Sequence, residues 1–223
     1  TAAPKQTMVE SGGLKSSRWG MRGSEDLGGG LKAGFKLEQR FKSDTGALDG
    51  VNFKGESSIN LSGNFGTVAL GRMGTPYDDL RGKTNAIADT NLSPVGDTIK
   101  NAKADYTDKT DNTVAYVSPT FNGFSAAVAV SFGENKTNVA DATQHSSLKL
   151  QYANGPLLVG YGFQKEESQV MTVATPTAPS VATGQTDDKT FNLLAASYDF
   201  GVAKLVGGYQ TMELESKGIK QGD

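Results

Sequence analysis

Apolar and polar residues alternate with a period of two along much of this chain, and no other feature constrains its fold as strongly. The clearest stretch is Leu31–Phe41. Its apolar residues share one set of alternate positions, namely Leu31, Ala33, Phe35, Leu37 and Phe41. Its charged residues share the other set, namely Lys32, Lys36, Glu38 and Arg40. Successive side chains of a strand point to opposite faces, so this stretch predicts a β-strand with one apolar and one charged face.

The same alternation recurs along the chain and predicts an all-β protein. Just before Leu31, the residues Trp19 and Met21 oppose Arg18 and Arg22 in the same way. Ten strands are predicted in all, at about residues 18–24, 31–41, 53–61, 67–72, 113–118, 124–132, 147–152, 157–165, 190–200 and 202–211.

The connections between these strands alternate between short and long. The short ones contain turn-forming residues and lie at residues 26–30, 64–66, 119–123, 154–155 and 199–201. The long ones are polar and lie at residues 42–52, 73–111, 133–144 and 166–189. A transmembrane barrel has short turns at one end and longer loops at the other, whereas a two-layer sandwich has no reason for this pattern. The connections therefore favour a transmembrane antiparallel β-barrel.

Composition agrees with a barrel and excludes several other classes. Hydrophobic residues make up 36% of the chain, mean hydropathy is −0.40, and the longest apolar runs, such as 126–130, have about five residues. A membrane-spanning helix needs about 20, so a helical membrane protein is excluded. The absence of cysteine excludes disulfides and thiolate metal sites. A net charge of −2 gives no basic field for binding nucleic acid.

A soluble antiparallel β-protein with long loops is the alternative fold. Aromatic residues make up only 8% of the chain, and the apolar positions are rich in alanine, glycine, valine and leucine. Ten such strands would give a soluble protein a thin core. The same residues are adequate against lipid tails, with the polar faces lining an aqueous lumen.

Three segments of the chain resemble general porins from the outer membrane of β-proteobacteria, of the neisserial and burkholderial type. Residues 17–33, SRWGMRGSEDLGGGLKA, resemble the second strand, turn and third strand of that family. Residues 60–72, NLSGNFGTVALGR, are similar to its next hairpin, and residues 118–124, SPTFNGF, to a later periplasmic turn. The order and spacing of the three segments agree along essentially the whole chain.

The resemblance implies a sixteen-stranded barrel, a homotrimer and a location in the outer membrane of a Gram-negative bacterium. It also implies that the third extracellular loop, here residues 73–111, folds into the lumen and constricts it. The family's first strand and last five strands have no counterpart here, so residues 1–223 are expected to be one incomplete barrel domain. Expected partners are the lipid bilayer, lipopolysaccharide, further copies of the chain, and small hydrophilic solutes and ions. No cofactor or metal is expected.

Charged residues on the predicted lumen side of two strands and on the long loop are the candidate pore-lining residues. The parity of the strands selects Arg18, Arg22, Lys32, Lys36 and Arg40, opposed by Glu38 and Glu25. The loop contributes Asp78, Asp79, Arg81, Asp89 and Asp97. Opposed basic and acidic walls would set a field across the constriction. Because the wall residues are mostly basic, we expect a weak preference for anions.

Two further positions are compared with the family's basic cluster. Arg18 and Arg72 match members of that cluster by motif, although strict parity turns Arg72 outward. A β-bulge at the strand end is the device that would redirect it. The family often carries an arginine where this chain has Gly55, so the basic wall is expected to differ there.

The predicted function is passive diffusion of small hydrophilic solutes through a water-filled channel. A barrel whose lumen is plugged, with a structural or adhesive role, is the first alternative. An outer-membrane enzyme is the second, but the chain has a single histidine, His145, and no convincing cluster of catalytic residues. The glycines at 28–30 are not followed by a helical pattern, so they do not indicate a phosphate-binding loop.

Overall fold

The computed structural model describes residues 7–13, 15–83, 106–138, 140–171 and 181–217. Ten strands form one sheet in chain order, and each pairs antiparallel with the next. The strands are β1 Ser17–Gly28, β2 Leu31–Phe41, β3 Glu56–Gly63, β4 Gly66–Gly74, β5 Lys109–Val117, β6 Phe124–Phe132, β7 Gln144–Asn154, β8 Leu157–Met171, β9 Ala182–Asp199 and β10 Lys204–Lys217. Within these described ranges one helix, α1 Pro76–Lys83, is present, and it follows β4. All ten predicted strands are confirmed.

No helix in the described part of the chain has the length and apolar character needed to cross a membrane.

The short connections are tight turns, as predicted. Gly29 and Gly30 link β1 to β2 with φ of 62° and 82°, values that glycine adopts without strain. Asn122 and Gly123 also both have positive φ, at 48° and 87°, at the turn before β6. Turns with two positive-φ residues match the twist of antiparallel strands, which explains the Asn–Gly pair.

Several predicted boundaries are wrong, including those of the third strand and of the connection between β8 and β9. The third strand begins at Glu56 rather than residue 53, because Phe53 has a φ of 50° and cannot continue an extended strand. The connection predicted at 166–189 is shorter, since β8 runs to Met171 and β9 begins at Ala182. Both extensions are mostly polar at both sets of alternate positions, so they lack the alternation that marks the rest of the strands.

The two faces of the sheet differ in how exposed their side chains are. The face with the large apolar side chains is the more exposed one, whereas in a soluble protein it would be the buried one. One face, here called the apolar face, carries large exposed side chains such as Leu31 (38% exposed), Phe35 (41%) and Leu194 (57%). The other, here called the inner face, carries smaller or polar residues that are more buried, such as Thr113 (1%) and Ser131 (6%). The large apolar side chains therefore require apolar surroundings outside the sheet.

The most extensive buried cluster lies on the inner face, beneath α1. Tyr77 and Leu80 of the helix are fully buried. They pack with Tyr106, Phe191, Leu193 and Ala195, with Leu158 at the margin. The helix thus covers the inner face of β7, β8 and β9, and the chain returns past it through Tyr106 into β5.

A β-bulge lies where β4 meets β5. Gly71 pairs with Thr113 and Met73 with Thr110, so Asp111 and Asn112 together oppose Arg72. Asn112 has a φ of 48°, and Thr110 and Thr113 are both buried. The extra residue keeps both threonines on the inner face although they are three positions apart.

Candidate functional site

The register of β1 and β2 gathers the predicted basic residues on one face. Arg18 pairs with Arg40 and Arg22 with Lys36, while Lys32 pairs with Asp26. Partners in a ladder share a face, so these side chains all belong to the inner face. Glu38 joins them, opposite Gly20. Glu25 does not, because it pairs with Ala33 on the apolar face.

Glu38 binds two of these arginines. Its Oε2 lies 3.5 Å from NH1 of Arg18, and its Oε1 accepts a hydrogen bond of 3.3 Å from Nε of Arg40. A methyl group at Gly55 would overlap the Glu38 carboxylate, so the glycine leaves room for this side chain. A larger residue at position 55 would therefore displace the Glu38 carboxylate from this network.

Of the remaining basic residues, one forms an ion pair with a described residue and two do not. Lys36 Nζ lies 2.6 Å from Oε2 of Glu56, and Oε1 of the same carboxylate accepts a hydrogen bond from the Ser58 hydroxyl. The side chains of Arg22 and Lys32 make no ion pair or hydrogen bond with any described residue. The inner face of β1 to β3 thus carries five cations and three carboxylates, an excess of two positive charges.

Arg72 lies apart from this set. It pairs with Ser57, which pairs with Leu37 on the apolar face. Its Nε donates to the carbonyl of Lys54 at 2.9 Å, and its NH1 to Oδ1 of Asp111 at 2.8 Å. The bulge lies in β5 rather than in β4, so it does not turn the Arg72 side chain toward the inner face. Arg72 instead ties the end of β4 to Lys54 and Asp111.

The charged residues of α1 bind one another and the wall. Asp79 forms ion pairs with Lys149 of β7 and with Lys83, whose Nζ is 3.7 Å away. Asp78 accepts a hydrogen bond of 3.3 Å from Arg81.

Tyr106 completes the network around Asp78 and Arg81. Its hydroxyl donates to Oδ1 of Asp78 at 2.7 Å, and the Arg81 guanidinium lies 5.3 Å from the centre of its ring. Asp89 and Asp97 lie outside the described residues.

Both ends of the long loop are fixed to the inner face. At the start, the backbone N–H of Tyr77 donates to Ser147 Oγ at 3.0 Å. At the end, Thr107 is held at three points. Its N–H and hydroxyl donate to the two oxygens of Glu166, at 2.6 and 3.1 Å, and its carbonyl accepts from Gln164 at 2.8 Å. The described parts of the loop are therefore bound to β7 and β8.

Burial changes the acid–base behaviour of the two tyrosines in this cluster. It raises the pKa of both the Tyr77 and the Tyr106 phenols well above the usual tyrosine value, and the Asp78 carboxylate raises that of Tyr106 further. Both phenols therefore stay neutral in ordinary conditions.

Several residues that hold the loop were not predicted from the sequence. The wall residues are Ser147, Lys149, Gln164, Glu166, Phe191 and Leu193. One signal was present, because Phe191, Leu193 and Ala195 place apolar residues at inner-face positions and weaken the alternation of that strand. Such a break indicates that something apolar covers the inner face there.

The arrangement offers fixed charges rather than reactive groups. Within the described ranges, no three side chains of histidine, cysteine, aspartate or glutamate are placed to hold a metal ion. Arg22 and Lys32 are exposed on one part of the inner face, and the described ends of the loop cover another.

The chain matches the model of a family described as Gram-negative porin over residues 1–221. It is 37% identical over 201 residues to outer membrane porin protein 32 of Delftia acidovorans, covering 87% of this chain and 54% of that protein. It is 30% identical over 166 residues to the major outer membrane protein P.IB of Neisseria gonorrhoeae, covering 72% and 47% respectively. The chain thus spans about half the length of these relatives.

A solved structure gives the same result. The fold resembles an anion-selective porin from Comamonas acidovorans with a TM-score of 0.75 and 35% sequence identity, covering 92% of this chain and 61% of that one. OmpT of Vibrio cholerae, at 18% identity in a loop-deleted form, is similar in fold with a TM-score of 0.66.

Proposed function

Because this chain belongs to the Gram-negative porin family, we propose that the full-length protein forms a water-filled channel for passive diffusion of small hydrophilic solutes and ions. Family membership confirms the predicted resemblance, the all-β antiparallel barrel fold and the location in the outer membrane. Since porins are channels, it also confirms that the protein is not an enzyme.

The contrast between the two faces of the sheet carries this proposal. Large apolar side chains are exposed on the apolar face, whereas charged and small residues line the inner face. In a membrane barrel the first face meets lipid tails and the second meets an aqueous passage. Aromatic pairs near the short turns fit this orientation, with Phe124 against Tyr152 at 4.7 Å and Tyr198 against Phe200 at 4.6 Å.

The loop at residues 73–111 is proposed to fold into the lumen and constrict it. Support comes from its described ends, which pack on the inner face through Tyr77, Leu80 and Thr107. A plugged barrel is the alternative. The two are separated by the current through the full-length protein in a planar bilayer. Stable ohmic steps are expected of a channel, and the absence of any conductance at all applied voltages would favour the plug.

We also propose a weak preference for anions. Its support is the excess of two positive charges on the inner face of β1 to β3, together with the anion-selective porin that resembles this chain. The test is the reversal potential under a salt gradient, with Arg18→Glu and Arg40→Glu combined. The wild-type protein should favour anions and the double variant should shift toward cations. An unchanged reversal potential would contradict a role for the basic wall.

The partners of the whole protein are proposals as well. We expect sixteen strands in the complete barrel, association of three copies, and contact of the apolar face with the bilayer and lipopolysaccharide. Chemical cross-linking of the native outer membrane should yield a trimer band that persists on heating in detergent, because the cross-links are covalent. A monomer alone would contradict the trimer without affecting the channel.

A further inference from the structure

Two glycines of β8, Gly160 and Gly162, lie directly behind the docked helix. Gly160 pairs with Gln151 of β7 and Ala195 of β9, and Gly162 lies one row along the same inner face. The helix residue Leu80 lies over both of them. These two positions are here called the glycine seat.

The fit between seat and helix leaves no room for even a methyl group. At Gly160 a Cβ would overlap Cδ1 of Leu80 and lie 3.1 Å from the carbonyl oxygen of Leu150. At Gly162 it would lie 3.1 Å from Cδ2 of Tyr77 and 3.3 Å from Cδ2 of Leu80. Carbon atoms pack without repulsion at about 3.5–4.0 Å, so a methyl at Gly160 requires a movement on the order of 1 Å.

The surrounding contacts determine where that movement goes. The wall cannot retreat easily, because β8 is hydrogen-bonded to β7 on one side and to β9 on the other. Leu80 cannot rotate freely, because it is fully buried in a close-packed cluster. The bonds of Ser147 and Glu166 keep the loop ends on the wall, so α1 is displaced rather than released. The remaining direction is away from the wall.

We infer that Gly160 and Gly162 are specificity-determining residues of the channel, because they set how close α1 lies to the wall and hence how much of the passage stays open. The inference rests on the proposed function, since it needs a channel that the loop narrows. It assigns control of solute size to a strand that solutes do not touch. A side chain at either position would narrow the passage from behind the loop.

Single-channel conductance and exclusion of sized polyethylene glycols by the full-length protein test this inference. Gly160→Ala should lower the conductance by roughly 10–30% and reduce the largest polymer that enters, because a narrower constriction passes fewer ions. Gly162→Ala should have a smaller effect in the same direction, since its contacts are less severe. The control is Gly82→Ala, which adds the same methyl to α1 with no atom within 4 Å.

A compensating variant shows whether the effect passes through the helix. Gly160→Ala combined with Leu80→Ala removes the overlapping atoms, so adding the methyl group to the Leu80→Ala variant should change the conductance much less than adding it to the wild-type protein. If Gly160→Ala does not fold, Gly162→Ala and its own combination with Leu80→Ala replace it. An unchanged conductance in folded seat variants, or an equal decrease in Gly82→Ala, would overturn the inference. A wild-type protein without conductance would instead contradict the proposed channel.

Discussion

The inner faces of β1–β3 and of β7–β9 belong to one sheet but are built for different neighbours. On β1–β3 the inner face carries charged side chains, and Arg22 lies open with no partner among the described residues. On β7–β9 it carries glycines, a lysine bound to Asp79, and apolar residues such as Phe191 under the helix. Under the proposed function, the first region would act on solutes directly, whereas the second would act by holding the loop. Charge and size selection would then be separated in space.

The largest expected effect comes from uncovering β7–β9. Leu80→Asp places a charge in the buried apolar cluster of Tyr77, Phe191 and Leu193. We expect docking of α1 to lose about 3–5 kcal/mol, the range for deleting a large buried side chain. Single-channel conductance should rise and become noisy, and protease should cleave the loop.

The control for that variant is Leu214→Asp, because Leu214 is 60% exposed on an inner-face position of β10. It introduces the same charge without disturbing the helix. If Leu80→Asp gave quiet channels of wild-type size, the two regions would not differ in the way described above.

Alkaline pH should weaken the same contact reversibly. A tyrosine in an undocked loop ionises near pH 10, whereas burial holds the pKa of Tyr77 and Tyr106 higher. The undocked state therefore releases protons first, and docking weakens above about pH 10 by roughly 1.4 kcal/mol per pH unit for each tyrosine. Conductance should rise above that pH, while phenolate absorbance shows delayed titration.

Tyr106→Phe should remove part of this pH dependence, and Tyr209→Phe, at a position 69% exposed, should not. Equal titration of all tyrosines near pH 10 would show that the cluster is open to solvent.

The ion pair between α1 and the wall should have an intermediate effect. Lys149 is 11% exposed and pairs with Asp79, so Lys149→Ala should weaken docking by about 1–2 kcal/mol. Lys83→Ala removes the other, more exposed partner of Asp79 and should cost less than about 0.5 kcal/mol. The protease sensitivity of the loop in each variant measures how much each ion pair contributes to docking. Equal sensitivity would mean that the wall contact contributes no more than a solvated pair.

The smallest effect is expected on β1–β3, where charge alone changes. Glu38→Gln frees the guanidinium groups of Arg18 and Arg40 and should raise the anion-to-cation permeability ratio about fourfold, because one charge at about 10 Å in water changes the energies of an anion and of a cation by roughly 0.4 kcal/mol each, in opposite directions. Glu25→Gln makes the same charge change on the apolar face and should shift the ratio less. Both ratios follow from reversal potentials, and the reverse order would contradict the assignment of faces.

The difference between the regions also shows where prediction from sequence succeeded. On β2 every second residue is apolar because lipid lies on one side and water on the other, so the strand and its faces could be read directly. On β9 the helix makes the inner side apolar too, and the alternation fades between Phe191 and Ala195. The sequence still predicts β9, but it does not predict the helix that packs on the inner face of this strand.

The loop anchors could not be predicted for a related reason. Thr107 and Glu166 are separated by 59 residues, and Tyr77 and Ser147 by 70. Nothing local marks a glutamate that accepts two hydrogen bonds from a distant threonine. The same holds for Arg72, whose motif suggested the basic cluster while its register puts it beside Ser57.

The sequence by itself determined the ten strands, the short and long connections and the two faces of each strand. These depend on the direction of a side chain relative to its own backbone, which repeats every two residues. Only the tertiary structure decided which part of the inner face stays open, which charges are paired and where α1 lies. Those depend on contacts such as that of Gly160 with Leu80, which exist only once the sheet has brought distant residues together.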